Sequence, residues 1–310
     1  MKRIDGKSSV LLGAALLLAA SCVVEGEDAL AEDWPGIASL QFAQGRSMMH
    51  ECGASVIAER WVLTAAHCVD EARIERSGKA AQFRRREDGM MQRLGPMRVA
   101  IGRTDLAADE DVKTYAVTGI HIHPDYVAGE FERGSDIALL QIEAGYKGPY
   151  MRVDGLDSGP VDLVEGSYGY VAGYGNTEEM DASEGSLNAR GRAVYAPSLR
   201  LQQAALLLIG PDECKAALDD VIERHELGGI YGDYSIGETT VCAGGGQTDS
   251  CYGDSGGPLV MRDDYGEPTQ IGIVSWGLGC ARAGSPGVYT RADHFTPWIE
   301  QITQLQSPPG

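Results

Sequence analysis

Beyond residue 22 the chain has no apolar run long enough to cross a bilayer, which excludes an integral membrane segment in the mature protein. Basic residues are scarce: 26 Lys and Arg stand against 45 Asp and Glu, a formal net charge of −19. That balance disfavours nucleic acid and anionic membrane surfaces as partners and mildly favours basic substrates. No Cys-x-x-Cys or His-x-x-x-His spacing occurs, so the cysteines and histidines are not arranged to hold a metal. Internal repeats are absent and helical signals are few. What is present is ordinary for a folded protein: 310 residues, 43% hydrophobic and 23% charged, enough for one large core or two modest ones.

Most of the chain reads as short strand-like runs separated by Gly, Pro, Asn and Asp, the pattern of sandwiches and barrels. Ser135 to Ile142, Ser167 to Ala172 and Gln270 to Trp276 are examples. Two helices are expected. One opens at Pro211-Asp212-Glu213 and runs to about His225; the other ends the chain from Thr296 to about Leu305, with Pro297 early.

Residues 1–22 read as an export signal: Lys2, Arg3 and Lys7, then an apolar stretch from Val10 to Ala20, then small residues. Of seven cysteines, six lie after this segment, an even number that suggests three disulfides in an exported chain. Cys22 admits two readings. Cleavage after it, the favoured one, leaves Val23 as the first residue of a soluble, extracellular or periplasmic protein. Lipidation of Cys22, after Leu18-Ala19-Ala20-Ser21, would anchor the chain instead.

Three segments carry chemistry. Gly253-Asp254-Ser255-Gly256-Gly257-Pro258 holds a serine out from a tight turn, with N–H groups nearby to receive a developing negative charge. Thr64-Ala65-Ala66-His67-Cys68 follows the apolar Trp61-Val62-Leu63. Ser135-Asp136 leads straight into Ile137-Ala138-Leu139-Leu140, and a carboxylate entering a buried strand needs a donor, which an imidazole N–H can be.

With Cys52-Gly53, Ser275-Trp276-Gly277 and Pro286-Gly287-Val288-Tyr289, these segments resemble the trypsin/chymotrypsin family of serine peptidases from about Val23 to about Ile302. The resemblance implies an all-β fold of two antiparallel six-stranded β-barrels and a C-terminal helix. The first barrel would span about 23–145, the second about 146–295, the helix 296–305 and a tail 306–310. It implies a triad of His67, Asp136 and Ser255, with Gly253 and Ser255 N–H groups as oxyanion hole. It pairs Cys52 with Cys68, Cys214 with Cys242 and Cys251 with Cys280.

Asp249, six residues before Ser255, matches the floor of the primary pocket in relatives that prefer Arg or Lys, and a desolvated carboxylate there suits a guanidinium. Gly277 and Gly287 match the pocket walls, and Ser275 to Gly277 the edge on which substrate pairs. Val23-Val24-Glu25-Gly26 resembles the activated N-terminus, whose α-ammonium would pair with Asp254. The implied function is endopeptidase cleavage after Arg or Lys by a monomer that needs no cofactor, with polypeptide substrates and protein protease inhibitors as partners. Arg103 stands where a calcium-binding loop would begin with a carboxylate, so no metal is expected.

Two stretches exceed the family pattern. Residues 73–98 carry eight basic and three acidic side chains, including Arg84-Arg85-Arg86. The second, Thr177 to Ile236, is expected to rim the cleft on the nucleophile side and restrict access.

Overall fold

β-branched and aliphatic runs interrupted by Gly, Pro and Asp fold here into antiparallel strands that close on themselves, which removes exposed sheet edges. The computed structural model describes residues 24, 26–45, 47–86, 88–108, 114–156, 159–177 and 197–305. Six strands form the first barrel: β1 Ile37–Gln44, β2 Ser47–Ala58, β3 Trp61–Thr64, β4 Met91–Ile101, β5 Thr114–Ile122 and β6 Ala138–Ile142. They pair in the ring β1-β2-β3-β6-β5-β4, and β4 returns to β1.

The second barrel repeats that order with β7 Tyr168–Gly173, β8 Gln202–Ile209, β9 Thr240–Gly244, β10 Pro258–Arg262, β11 Pro268–Trp276 and β12 Pro286–Arg291. Its ring is β7-β8-β9-β12-β11-β10, closed by β10 on β7. The all-β, two-barrel expectation is therefore met. Leu40, Val56, Leu63, Val99, Val117 and Leu139 are among the residues filling the first core. Val171, Leu206, Leu259, Ile271 and Tyr289 are among those filling the second.

The two ends of the described chain cross over. Glu27–Asp28 adds to the second barrel, pairing with β8, although it precedes the first barrel in sequence. The C-terminal helix, α2 Thr296–Thr303, buries Ile299 in the first barrel's core, with Trp298 and Ile302 packed alongside. Each barrel is thus gripped by chain from beyond the other. α2 stops before Leu305 because Gln304 turns into the left-handed region at φ 60°. Helix α1, Pro211–Arg224, starts with Pro at its N-terminus and Asp212 and Glu213 in its first turn, which suits the positive end of the helix dipole. It buries Cys214, Leu218 and Val221, one stripe at helical spacing.

The basic stretch forms a projecting hairpin in which Ala80–Arg85 pairs with β4. Within the long second stretch, residues 178–196 lie outside the described residues, as do the predicted export signal and Val23. No described helix is long and apolar enough to cross a membrane.

Candidate active site

Ser255 lies in the turn that enters β10. Gly253 has φ of 100° and Gly256 φ of 81°, backbone that a side chain would strain. A Cβ at Gly256 would also sit 2.2 Å from Thr64 Oγ1 and 2.5 Å from the Gly53 carbonyl, so the turn fits only as glycine. Three N–H groups in the turn are committed: Asp254 to Cys251 O, Gly256 to Val274 O and Gly257 to Asp254 O. Those of Gly253 and Ser255 donate to no acceptor among the described residues. They are free to receive an oxyanion. The Ser255 carbonyl accepts from Gly53 N–H at 2.8 Å, which ties the second barrel's turn to β2 of the first.

His67 follows β3, and Asp136 precedes β6, the strand paired with β3, so barrel closure brings them together. Asp136 Oδ2 accepts from His67 Nδ1 at 2.7 Å and from the Ser275 hydroxyl at 2.6 Å. Its Oδ1 accepts from the His67 backbone N–H at 2.9 Å. Asp136 is fully buried, which alone would raise its pKa; the facing His67 and these hydrogen bonds outweigh burial and hold it below the usual carboxylate value. For His67 burial pushes the pKa down, but the Asp136 charge and hydrogen bond win and raise it. The arrangement fixes the tautomer: with Nδ1–H facing Asp136, Nε2 is left as the base.

His67 and Ser255 line one cavity of about 230 Å³, together with Asp249, Val274, Ser275, Trp276, Gly277 and Gly287. A Cβ at Gly287 would come within 3.1 Å of Asp249 Oδ1, so glycine keeps the way to that carboxyl open. Asp249 is 2% exposed. Its Oδ2 accepts from Ala281 N–H at 3.2 Å, while Oδ1 has no partner among the described residues. Burial raises its pKa from 3.8 to about 7. Asp249 is thus a buried carboxyl in the cavity wall with one oxygen left unpartnered among the described residues.

Asp254 is the second buried acid beside the nucleophile. It accepts from Gly175 N–H at 2.8 Å and Cys251 N–H at 2.9 Å, and burial raises its pKa to about 6. No cation pairs with it among the described residues. Its expected partner, Val23, lies outside them, but Val24 forms an antiparallel bridge with Asp249.

The disulfides join Cys52 to Cys68, Cys214 to Cys242 and Cys251 to Cys280. The first ties the residue after His67 to β2; the third spans the pocket between the serine turn and the Gly277 segment. Cys52, His67 and Cys68 bring ligand atoms within 4.8 Å of one another, but the two sulfurs are bonded to each other and offer no thiolate.

Sequence reasoning missed four residues. His50, two before Cys52, is buried between the Ser39 hydroxyl at 2.8 Å and the Gly253 carbonyl at 2.9 Å. A carbonyl only accepts, so Nε2 carries the proton and Nδ1 accepts from Ser39. Burial lowers the His50 pKa to about 4, so it stays neutral as it holds the Gly253 peptide. Phe131, whose ring lies 5.3 Å from that of His67, and Tyr231 and Tyr252 also line the cavity. No motif marks them; the cleft selects them by where loops fall.

A serine turn, a histidine and a buried aspartate meeting between two six-stranded barrels define a nucleophilic-serine architecture. The trypsin family model matches residues 23–299, and the chain belongs to that family. It is 31% identical over 287 residues to the urokinase-type plasminogen activator of Gallus gallus, covering 90% of this chain and 56% of that protein. It is 31% identical over 286 residues to the serine proteinase stubble of Drosophila melanogaster, covering 89% of this chain and 30% of that protein. The chain thus spans about half of the first relative and under a third of the second.

Proposed function

We propose that this chain is a secreted serine endopeptidase that hydrolyses peptide bonds after Arg or Lys. Asp249 carries the specificity reading: a buried carboxyl with an unpartnered oxygen, in the cavity that also holds Ser255 and His67. Family membership supports the reaction type. Ser255 attacks the scissile carbonyl while His67 Nε2 takes its proton, and Asp136 stabilises the resulting imidazolium. The Gly253 and Ser255 N–H groups receive the oxyanion, and the protonated His67 then delivers its proton to the leaving amine. Water repeats the sequence on the acyl-enzyme. Ser275 to Gly277 offer substrate an antiparallel edge, and the chemistry needs no cofactor.

Export is favoured by the signal-like residues 1–22 and by three disulfides, which persist in oxidising compartments. The active form begins at Val23, and its α-ammonium neutralises Asp254. The bridge between Val24 and Asp249 and the uncompensated burial of Asp254 support that placement. A fluorophosphonate probe on the exported protein, followed by cleavage-site profiling on a peptide library, tests the whole reading. Labelling of Ser255 and cuts after Arg and Lys are expected. A folded protein that the probe does not label would be a non-catalytic relative.

A further inference from the structure

Two cavities of about 340 and 300 Å³ lie side by side on the second barrel, away from the catalytic residues. They share Glu165, Leu208 and Ile209 as a common wall and so form one groove across the start of α1. Leu163, Ile236 and Val241 line one half, and Leu207, Ala217 and Pro286 the other. The apolar surface runs on past the groove, where Tyr168 and Leu207 face each other across β7 and β8, both exposed. Three exposed carboxylates stand in its walls: Glu165, Glu213 and Glu238. Glu165 lies against Gly210, where a Cβ would sit 2.7 Å from its oxygen. None of the three forms an ion pair among the described residues. Arg291, also in the wall, is taken up by Asp293 through hydrogen bonds of 2.6 and 2.8 Å.

The hairpin of residues 73–98 on the first barrel has the complementary surface. The Arg84 and Arg86 side chains are 62% and 59% exposed, and Met90 is 66% exposed. Arg85 stands opposite Met91, and Arg86 N–H donates to Met90 O at 2.9 Å, so arginines and methionines share one tip. Arg84 has Glu51 only at 3.9 Å, while Arg76 and Arg85 pair with no acid among the described residues. The ion pairs that the hairpin does make, to Glu51, Glu75, Asp88 and Glu143, stay within the first barrel and the hairpin itself. One copy's hairpin therefore meets a groove of this kind on another copy. In a chain of net charge −19, this basic tip is the part best matched to an acidic, apolar groove.

We propose that the protein associates with a second copy of itself, the hairpin tip at 84–86 of one molecule seating in the Glu165 and Glu213 groove of the other. Guanidinium groups meet the carboxylates, and the flexible methionines cover the apolar walls. This departs from the monomer that the family resemblance implies, and it does not depend on the cleavage reading. Two different surfaces meet in the contact, so it either pairs two copies reciprocally or continues into a row. The net negative charge on both copies opposes their approach, which keeps the association weak.

The test is sedimentation velocity across a range of concentrations, on Ser255→Ala protein so that no copy can cut another. Association with a Kd of about 0.1 mM is expected. Two further variants reverse one surface each. Arg84→Glu, Arg85→Glu and Arg86→Glu together make the hairpin acidic; Glu165→Lys and Glu213→Lys together make the groove basic. Each sets like charge against like and should weaken association by more than about tenfold. An equal mixture of the two should associate again, because the basic hairpin of one meets the acidic groove of the other. A folding defect in either variant cannot produce that rescue. A parent protein that stays monomeric at about 1 mM overturns the inference. So does a reversed variant that associates like the parent, or a mixture that stays apart. Uptake of oligoarginine by the groove of a parent that stays monomeric also overturns it, and assigns the groove to a basic segment of another protein.

Discussion

On the proposed reading Asp249 links specificity to stability, and its replacement by serine separates the two. In the unfolded chain its carboxyl titrates near 3.8; in the folded protein burial holds the proton to about pH 7. Between those values the folded state binds the extra proton, so this group's contribution to stability falls as pH rises and stays low above pH 7. A shift of roughly three units corresponds to about 4 kcal/mol. The free enzyme therefore carries an ionisation cost on the order of 4 kcal/mol at pH 8, which a guanidinium bound as proposed would relieve. Asp249→Ser should be more stable than wild type at pH 8, by up to that amount, and indistinguishable near pH 3. Thermal unfolding across pH measures it; for a domain of this size each kcal/mol moves Tm by roughly 2–4 °C. Adding butylguanidine should raise the wild-type Tm at pH 8 and leave the variant unmoved. The same substitution should cut kcat/KM on Arg substrates by about 30-fold to several thousand-fold, the loss of a desolvated charge partner at about 2–5 kcal/mol. Overlapping pH–stability curves for the two proteins, or Arg turnover within tenfold of wild type, would refute the reasoning.

Ser255→Ala should lower turnover by roughly 10⁴ to 10⁶ while leaving the unfolding transition and the disulfides intact; activity within tenfold of wild type would remove Ser255 from the chemistry. Because the raised His67 pKa keeps the base protonated above 6.5, kcat/KM should climb through a limb above pH 6.5, and a profile peaking near pH 4 would contradict a neutral imidazole base. One extra residue before Val23 should nearly abolish activity in a still-folded protein, since a buried Asp254 without its cation costs about 3–5 kcal/mol. Intact-mass analysis of the active form checks the starting residue, and full activity with a lipidated Cys22 would sink both that start and the soluble assignment.

Local sequence determined what depends on local chemistry. The glycines at 253 and 256 were legible as a serine turn because only glycine takes those dihedrals beside a close backbone neighbour. All-β structure was legible from strand-length apolar runs with turn residues between them, and α1 from its Pro-Asp-Glu start, which suits the positive end of the helix dipole. Which residues meet across the cleft was decided only by barrel closure, because that depends on contacts between distant segments. β3 and β6 must pair before His67 can reach Asp136, and the Ser275 hydroxyl reaches the same carboxylate from the other barrel. His50 became visible as the support of the Gly253 peptide only once β2 lay against the serine turn. Tyr231 is an unremarkable residue in a loop until α1 and the Glu132 segment hold it over Trp276. The elevated pKa values of Asp249 and Asp254 have the same origin: an aspartate's identity is written in the chain, but its removal from water is a property of everything folded around it.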